Sequence, residues 1–319
     1  MKHNLKITSL LLVMFLITQL IGLAVIYADP LKIEKVVDGQ VEKITNPYLK
    51  WMDVPSPETD REFTSILFQM LISFIIAVSL LLFLMKFKIE LLLKAWFFVV
   101  IVIALFLSII AFEKLVPFMI PFHTAMIAAF ILALFLAYMK MFQRNILIHN
   151  LTEFLIYPGL AVIFVPILNL FTLILLLILI SVYDMWAVWR SGIMQKMAKY
   201  QIKKLRVFSG FFVPYAPNAK IKKQIQEAKK AQKKGKKIKY KKIKINVAIL
   251  GGGDVIFPII ASGVVLKTAG ILSAIFVILG ATLGLGYLFF SAEKKKFYPA
   301  MPFITAGILS AIFLSWIIL

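Results

Sequence analysis

Residues 178–186 read Ile178-Leu179-Ile180-Ser181-Val182-Tyr183-Asp184-Met185-Trp186, a single carboxylate set in largely apolar sequence. Residues 249–257, Ile249-Leu250-Gly251-Gly252-Gly253-Asp254-Val255-Ile256-Phe257, repeat that situation behind three glycines. The chain has six aspartates, and the other four (Asp29, Asp38, Asp53, Asp60) fall in one polar loop. A carboxylate at membrane depth is costly unless it faces a partner or a wet cavity, so an intramembrane aspartate marks a functional site. Two of them suggest a pair.

Membrane depth is established by the rest of the chain. Its 319 residues are 61% hydrophobic, with a mean hydropathy of +0.93. Apolar runs of about 20 residues recur, the length that spans about 30 Å of hydrocarbon at about 1.5 Å per residue. Spans are expected at 6–28, 63–85, 89–112, 116–139, 145–165, 167–190, 245–266, 269–290 and 299–319. The expected fold is therefore an all-α polytopic membrane protein with nine transmembrane helices. In residues 1–30, Lys2 and Lys6 precede an apolar run ending at Tyr27-Ala28. That run is longer than the roughly 7–15 residues of a signal-peptide core, so it reads as an anchor.

Charge is distributed by side. Between Arg190 and Lys244, nineteen Lys or Arg stand against one acid, Glu227, so this segment holds +18 of the net +21. In a polytopic protein such a loop is retained on the cytoplasmic side and touches anionic headgroups, and no nucleic-acid partner is implied. Residues 220–244 read as a linker or interfacial helix. Lys2 and Lys6, Lys86 and Lys88, Lys140 and Arg144, and Lys294 to Lys296 fall at alternate span ends with it. The N-terminus and residues 191–244 are thus expected in the cytoplasm, and the C-terminus outside, in a multi-pass cell-membrane protein. The organisation is 1–190 (six spans, with an external loop 29–62 of eight acids and five bases), the basic segment 191–244, and 245–319 (three spans). Lys114 and Lys267 are the short-loop bases on the wrong side.

Zero cysteines exclude disulfides, thiolate metal sites and a cysteine nucleophile. Three scattered histidines (His3, His123, His149) make a histidine metal site or a serine triad improbable. No metal and no cofactor is expected. Asp184 lies six positions before Arg190, about 9 Å of helix rise, and Asp254 lies ten residues after Lys244. The two spans run in opposite directions, so both aspartates fall in the cytoplasmic half. Their depths match if 241–248 is partly extended, as the alternation Lys241-Lys242-Ile243-Lys244-Ile245-Asn246-Val247 permits. Gly251, Gly252 and Gly253 let another backbone approach the carboxylate. Two carboxylates sharing one water cannot both ionise easily, so the pair shares a proton, the arrangement that activates water against a peptide carbonyl. Backbone at this depth must be buried or line a wet cavity, so the substrate is expected to be a transmembrane helix that unwinds locally.

Tyr183-Asp184, the set Gly251, Gly253, Asp254, and Pro299-Ala300-Met301 together resemble the presenilin and signal peptide peptidase family of intramembrane aspartyl proteases, in the style of its compact archaeal members. The resemblance covers about residue 63 to the end. It implies nine spans, catalytic aspartates Asp184 and Asp254 in spans six and seven, and a substrate-binding motif opening span nine. Met301 stands where that motif has leucine, a nearly volume-conserving swap. A strand-like edge is expected at 299–301. A prepilin-type peptidase shares the Gly-x-Gly-Asp set but accounts for neither Tyr183-Asp184 nor Pro299-Ala300-Met301. An ion- or proton-coupled transporter or leak channel also places two carboxylates in a wet cavity, and a scaffold for partner helices would not need them. Glu153 and His149, four apart, share a helix face and can pair; His123 and Lys94 sit near span ends.

Overall fold

The computed structural model describes residues 5–37, 40–52, 54–87, 89–115, 122–143, 145–191, 209–215, 246–292 and 298–319. The basic segment 191–244 lies mostly outside the described residues, as do Lys294 to Lys296 and the start of the span expected at 116.

Nine helices form the bundle among the described residues. They are α1 (Leu5–Ala28), α2 (Asp60–Lys86), α3 (Glu90–Leu115), α4 (Phe122–Phe142), α5 (Ile146–Phe164), α6 (Leu170–Trp186), α7 (252–269), α8 (271–291) and α9 (Met301–Ile318). α7 and α8 are one run, Gly252–Ser291, interrupted only at Gly270, where φ is 85° and ψ 179°. Each run is long and apolar enough to cross a membrane, and the 40-residue run, broken at Gly270, is long enough for two crossings. Residues 5–28, expected as an anchor, are a helix whose Leu11, Phe15 and Val25 are buried among the others. α1 packs on α5 and α7, α3 on α4 and α5, and α9 on α8 and α6. α2 is the least buried of the set.

Lipid is as apolar as leucine, so these helices associate by close packing and small residues carry the contacts. Gly159 of α5 lies against the Ala104 backbone of α3, and Gly280 of α8 against the Gly307 backbone of α9. Helix ends are closed by side chains. Asn145 caps α5 through the Leu147 N–H, and Asn169 with Thr172 forms a reciprocal capping box on α6. Asn169 also donates to Asp60 Oδ1 at 2.9 Å, tying α6 to the start of α2.

Two short sheets complete the chain. β1 (Lys32–Val37) and β2 (Gln40–Thr45) form an antiparallel hairpin, with Lys32 opposite Thr45 and Val37 opposite Gln40. The loop expected at 29–62 is therefore partly β structure. Lys114 explains its own place on the acidic side: its ammonium donates to the carbonyls of Ala28, Asp29 and Lys32 at 2.7–2.8 Å, satisfying the end of α1 and the base of the hairpin. The second sheet pairs β3 (Gly210–Tyr215) with β4 (Asn246–Gly251), Gly210 facing Gly251 and Tyr215 facing Asn246. Residues expected to open a seventh span at 245 are thus strand until Gly251, because Val247 and Ile249 alternate with buried Ala248 and Leu250. The sixth span, expected to reach 190, ends as α-helix at Trp186 and widens to π-helix over Ala187–Ser191.

Gly270 gives a test that separates backbone strain from crowding. An added Cβ meets nothing within 4 Å, yet its backbone angles belong to a region open essentially to glycine alone. Gly270→Ala should cost about 1–3 kcal/mol of stability, measured by denaturation of the purified protein in detergent, and an unchanged midpoint would show that the break between α7 and α8 tolerates a side chain.

Candidate active site

Asp184 occupies the last turn of α6, on the face that carries Ser181. That face meets α9, where Ser181 Oγ and Thr305 Oγ1 lie 2.9 Å apart. The carboxylate of Asp184 is 6% exposed, and it takes the N–H of Met301 on Oδ2 at 3.1 Å, with the Ala300 N–H directed to the same group. Every helix leaves its first N–H groups without an internal partner. Ala300, the residue at the N-cap of α9, has no side chain to accept them, so a carboxylate from another helix does so. Pro302 in the first turn has no N–H to satisfy.

This corrects the strand edge expected at 299–301. Tyr298 and Pro299 are irregular, but Ala300 is already helical in its angles (φ −89°, ψ −33°), and its N–H serves Asp184 instead of a peptide. Pro299 is buried, Ala300 half-buried and Met301 3% exposed. The Met in place of Leu therefore fills a core position beside Asp184, as an apolar swap of similar volume should.

Asp254 is the third residue of α7, which leaves β4 directly with Gly251 as its cap. Its side chain turns back over Gly251, Oδ2 standing 3.1 Å from where a Cβ would be, with the Gly251 N–H directed to it. That is one half of a capping box; the other half needs a side chain that Gly251 lacks. Pro258, four residues on, cannot donate to the Asp254 carbonyl. Gln19 of α1 reaches across to donate to the neighbouring Val255 carbonyl at 3.0 Å. α6 lies against α7, and Asp184 and Asp254 are near enough to interact through their charges.

The three glycines have different surroundings. A Cβ on Gly252 would run into Ser209 Oγ and come within 3.0 Å of the Tyr157 ring, and Tyr157 is 1% exposed. Among the described residues a Cβ on Gly253 would meet only Phe257, at 3.9 Å. Close approach is thus the business of Gly252, while Gly253 has room for a side chain among the described residues. The Tyr183 ring packs on α2, meeting Phe74 edge-on at 5.6 Å. Sequence reasoning missed Gln19 and Ser209. Gln19 had a signal, being strongly polar and central in an apolar run; Ser209 had none.

Compared with known families, residues 48–319 match the model described as signal-peptide peptidase, presenilin aspartyl protease. The chain belongs to that family. It is a multi-pass membrane protein and a hydrolase of the aspartyl-protease type, and the family acts on transmembrane-helix substrates in the bilayer. Two solved structures of a presenilin family intramembrane aspartate protease, in different space groups, share its fold. One is 16% identical with a TM-score of 0.60, over 98% of this chain and 99% of that one. The other is 16% identical with a TM-score of 0.56, over 97% of each. Among curated proteins nothing matches.

The glycine surroundings predict opposite outcomes for one methyl. Gly252→Ala should destabilise by about 1–3 kcal/mol through overpacking against Tyr157, whereas Gly253→Ala should be neutral or stabilising by up to about 1 kcal/mol through helix propensity. Thermal denaturation of the two purified variants reads the difference, and equal midpoints would contradict the assignment.

Proposed function

We propose that the protein cleaves peptide bonds of transmembrane helices at a dyad of Asp184 and Asp254. One observation carries this reading: two carboxylates set in apolar spans, on helices that lie against each other, each have main-chain N–H directed to them, Asp184 from Met301 and Asp254 from Gly251. The ionised member takes a proton from a water lying between them, and the resulting hydroxide attacks the peptide carbonyl. The protonated member hydrogen-bonds the developing oxyanion and delivers its proton to the leaving amine. The shared proton belongs to the pair and not to either residue. No metal enters this scheme.

A peptide inside a helix hides its carbonyl, so the substrate must unwind and find new partners for its backbone groups. β4 can supply them. Phe212 gives its N–H and C=O to Asn150, and Pro214 has no N–H, so their pairings with Ile249 and Val247 are the ones without ladder hydrogen bonds, and Ile249 and Val247 carry their N–H and C=O on the outer edge. Strand addition there would draw a substrate past Gly253 to Asp254. The Pro299-Ala300-Met301 segment contributes by fixing Asp184. In our reading the basic segment 191–244 is cytoplasmic and rests on anionic lipid, placing the N-terminus inside and the C-terminus outside.

Asp184→Asn keeps an acceptor for the Met301 N–H and Asp254→Asn one for Gly251, so both variants should fold. Each should lower kcat/KM on a model transmembrane peptide by about 10³-fold or more. Appreciable turnover by either folded variant would falsify the dyad, and pH- or Na⁺-dependent flux through liposomes without cleavage would favour a transporter. Orientation has its own check: protease added to the cytoplasmic face of oriented vesicles should cut within 220–244, and cutting only from the outer face would reverse the topology.

A further inference from the structure

Strand β3 has two edges, and β4 takes only one. Gly210 and Phe212 turn their main-chain groups toward α5, so by the alternation of an antiparallel ladder Phe211, Val213 and Tyr215 turn theirs to β4. On the α5 side, side chains meet these groups. Asn150 Nδ2 donates to the Phe212 carbonyl at 2.8 Å, and Asn150 Oδ1 accepts the Phe212 N–H at 2.9 Å. This is the pair of bonds a residue in a neighbouring strand would make. Gly210 is held on both sides as well: its N–H donates to Glu153 Oε1 at 3.3 Å, and its carbonyl lies 2.8 Å from His149 Nε2. The next residue of that parity, Pro214, has no N–H to place.

The cluster behind these bonds is buried. Glu153 is 1% exposed and meets the Lys140 ammonium, 4% exposed, at 2.6 Å. A proton on His149 Nε2 serves the Gly210 carbonyl and leaves Nδ1 to accept from Lys140 at 3.4 Å. Buried ion pairs can often be replaced by apolar residues of similar volume without loss of stability. Apolar residues cannot, however, hold the main chain of Gly210. One helical turn beyond Glu153, Tyr157 covers Gly252 and its hydroxyl lies 3.3 Å from Ser209 Oγ, so α5 touches the chain on both sides of the β3–β4 join.

We propose that His149, Asn150 and Glu153, with Lys140 as counter-charge, are positioning residues: they fasten β3 as a third strand would and, through the β3–β4 ladder and Gly251, fix where Asp254 stands. This rests on the dyad reading for its effect on cleavage, but not for its effect on the sheet.

The test compares two neutral double variants of the full chain, Lys140→Met/Glu153→Gln and Lys140→Met/Glu153→Leu. Both remove the ion pair, but only Gln can still accept the Gly210 N–H. The Gln variant should keep kcat/KM within about threefold of wild type, and the Leu variant should lose about tenfold or more. Hydrogen exchange on the resting protein reads the sheet directly. Ala248 and Leu250 amides should exchange about tenfold faster in the Leu variant, with residues 255–265 unchanged. Asn150→Ala, which disturbs no charge, should do the same and serves if the Leu variant does not fold. Equal strand exchange in the Gln and Leu variants, and in Asn150→Ala and wild type, overturns the clamp. Faster strand exchange with no cleavage even by wild type supports the clamp and removes the dyad.

Discussion

The hydrogen bond from the Met301 N–H to Asp184 Oδ2 joins residues 117 apart in sequence, and the site depends on it. Hydrocarbon offers no water to the first amides of α9 or to the Asp184 carboxylate, so each must find protein. They solve each other's problem. The cost of burying the carboxylate is offset by donors that were going to be orphaned in any case, and the start of α9 is located by a group on α6. The same logic recurs at Asp254, which satisfies an amide of its own cap. Neither aspartate hangs free in a cavity; both are built into helix starts.

Close helix approach supplies the rigidity on which this rests. Gly159 against Ala104, and Gly280 against Gly307, bring backbones together with no side chain between them, leaving little room for α5 or α9 to shift. α5 is central to this arrangement. One face packs on α1 and α3, while His149, Asn150, Glu153 and Tyr157 meet the strand and the glycines that lead to Asp254. A span that hydropathy alone reads as an ordinary membrane helix is thus the support of the sheet.

Spans were legible because about 20 apolar residues in a row have few other fates, and the aspartates were legible because charge is rare at that depth. Lengths were less so. Hydropathy does not distinguish a buried strand from a helix over six residues, so Asn246–Gly251 falls inside the span expected from 245, although the alternation marks 241–248 as partly extended. The hairpin at 32–45 was overlooked despite Asp38-Gly39 between Val-rich runs, a strong hairpin signal. Glu153 and His149 were read correctly as a pair, 3.4 Å apart, but their main-chain partners come from β3, some 60 residues away. Separation of that kind leaves no trace in a single sequence. Pro299-Ala300-Met301 stands beside Asp184, yet its amides face that carboxylate rather than a strand, which only the packing of α6 on α9 decides.

The passage from β4 to α7 contains no loop: Gly251 ends the strand and caps the helix. Strand positions are quantised, because adjacent residues point to opposite faces and a slip of one residue exchanges them. Such a slip in β4 would turn Val247 and Ile249 inward and drag Asp254 along by about 3.3 Å, the rise of one strand residue. With no slack between strand and helix, there is no gentle intermediate setting. The join works as a ratchet with one usable tooth, and whatever holds β4 in step with β3 also decides whether the second carboxylate is in range of the first.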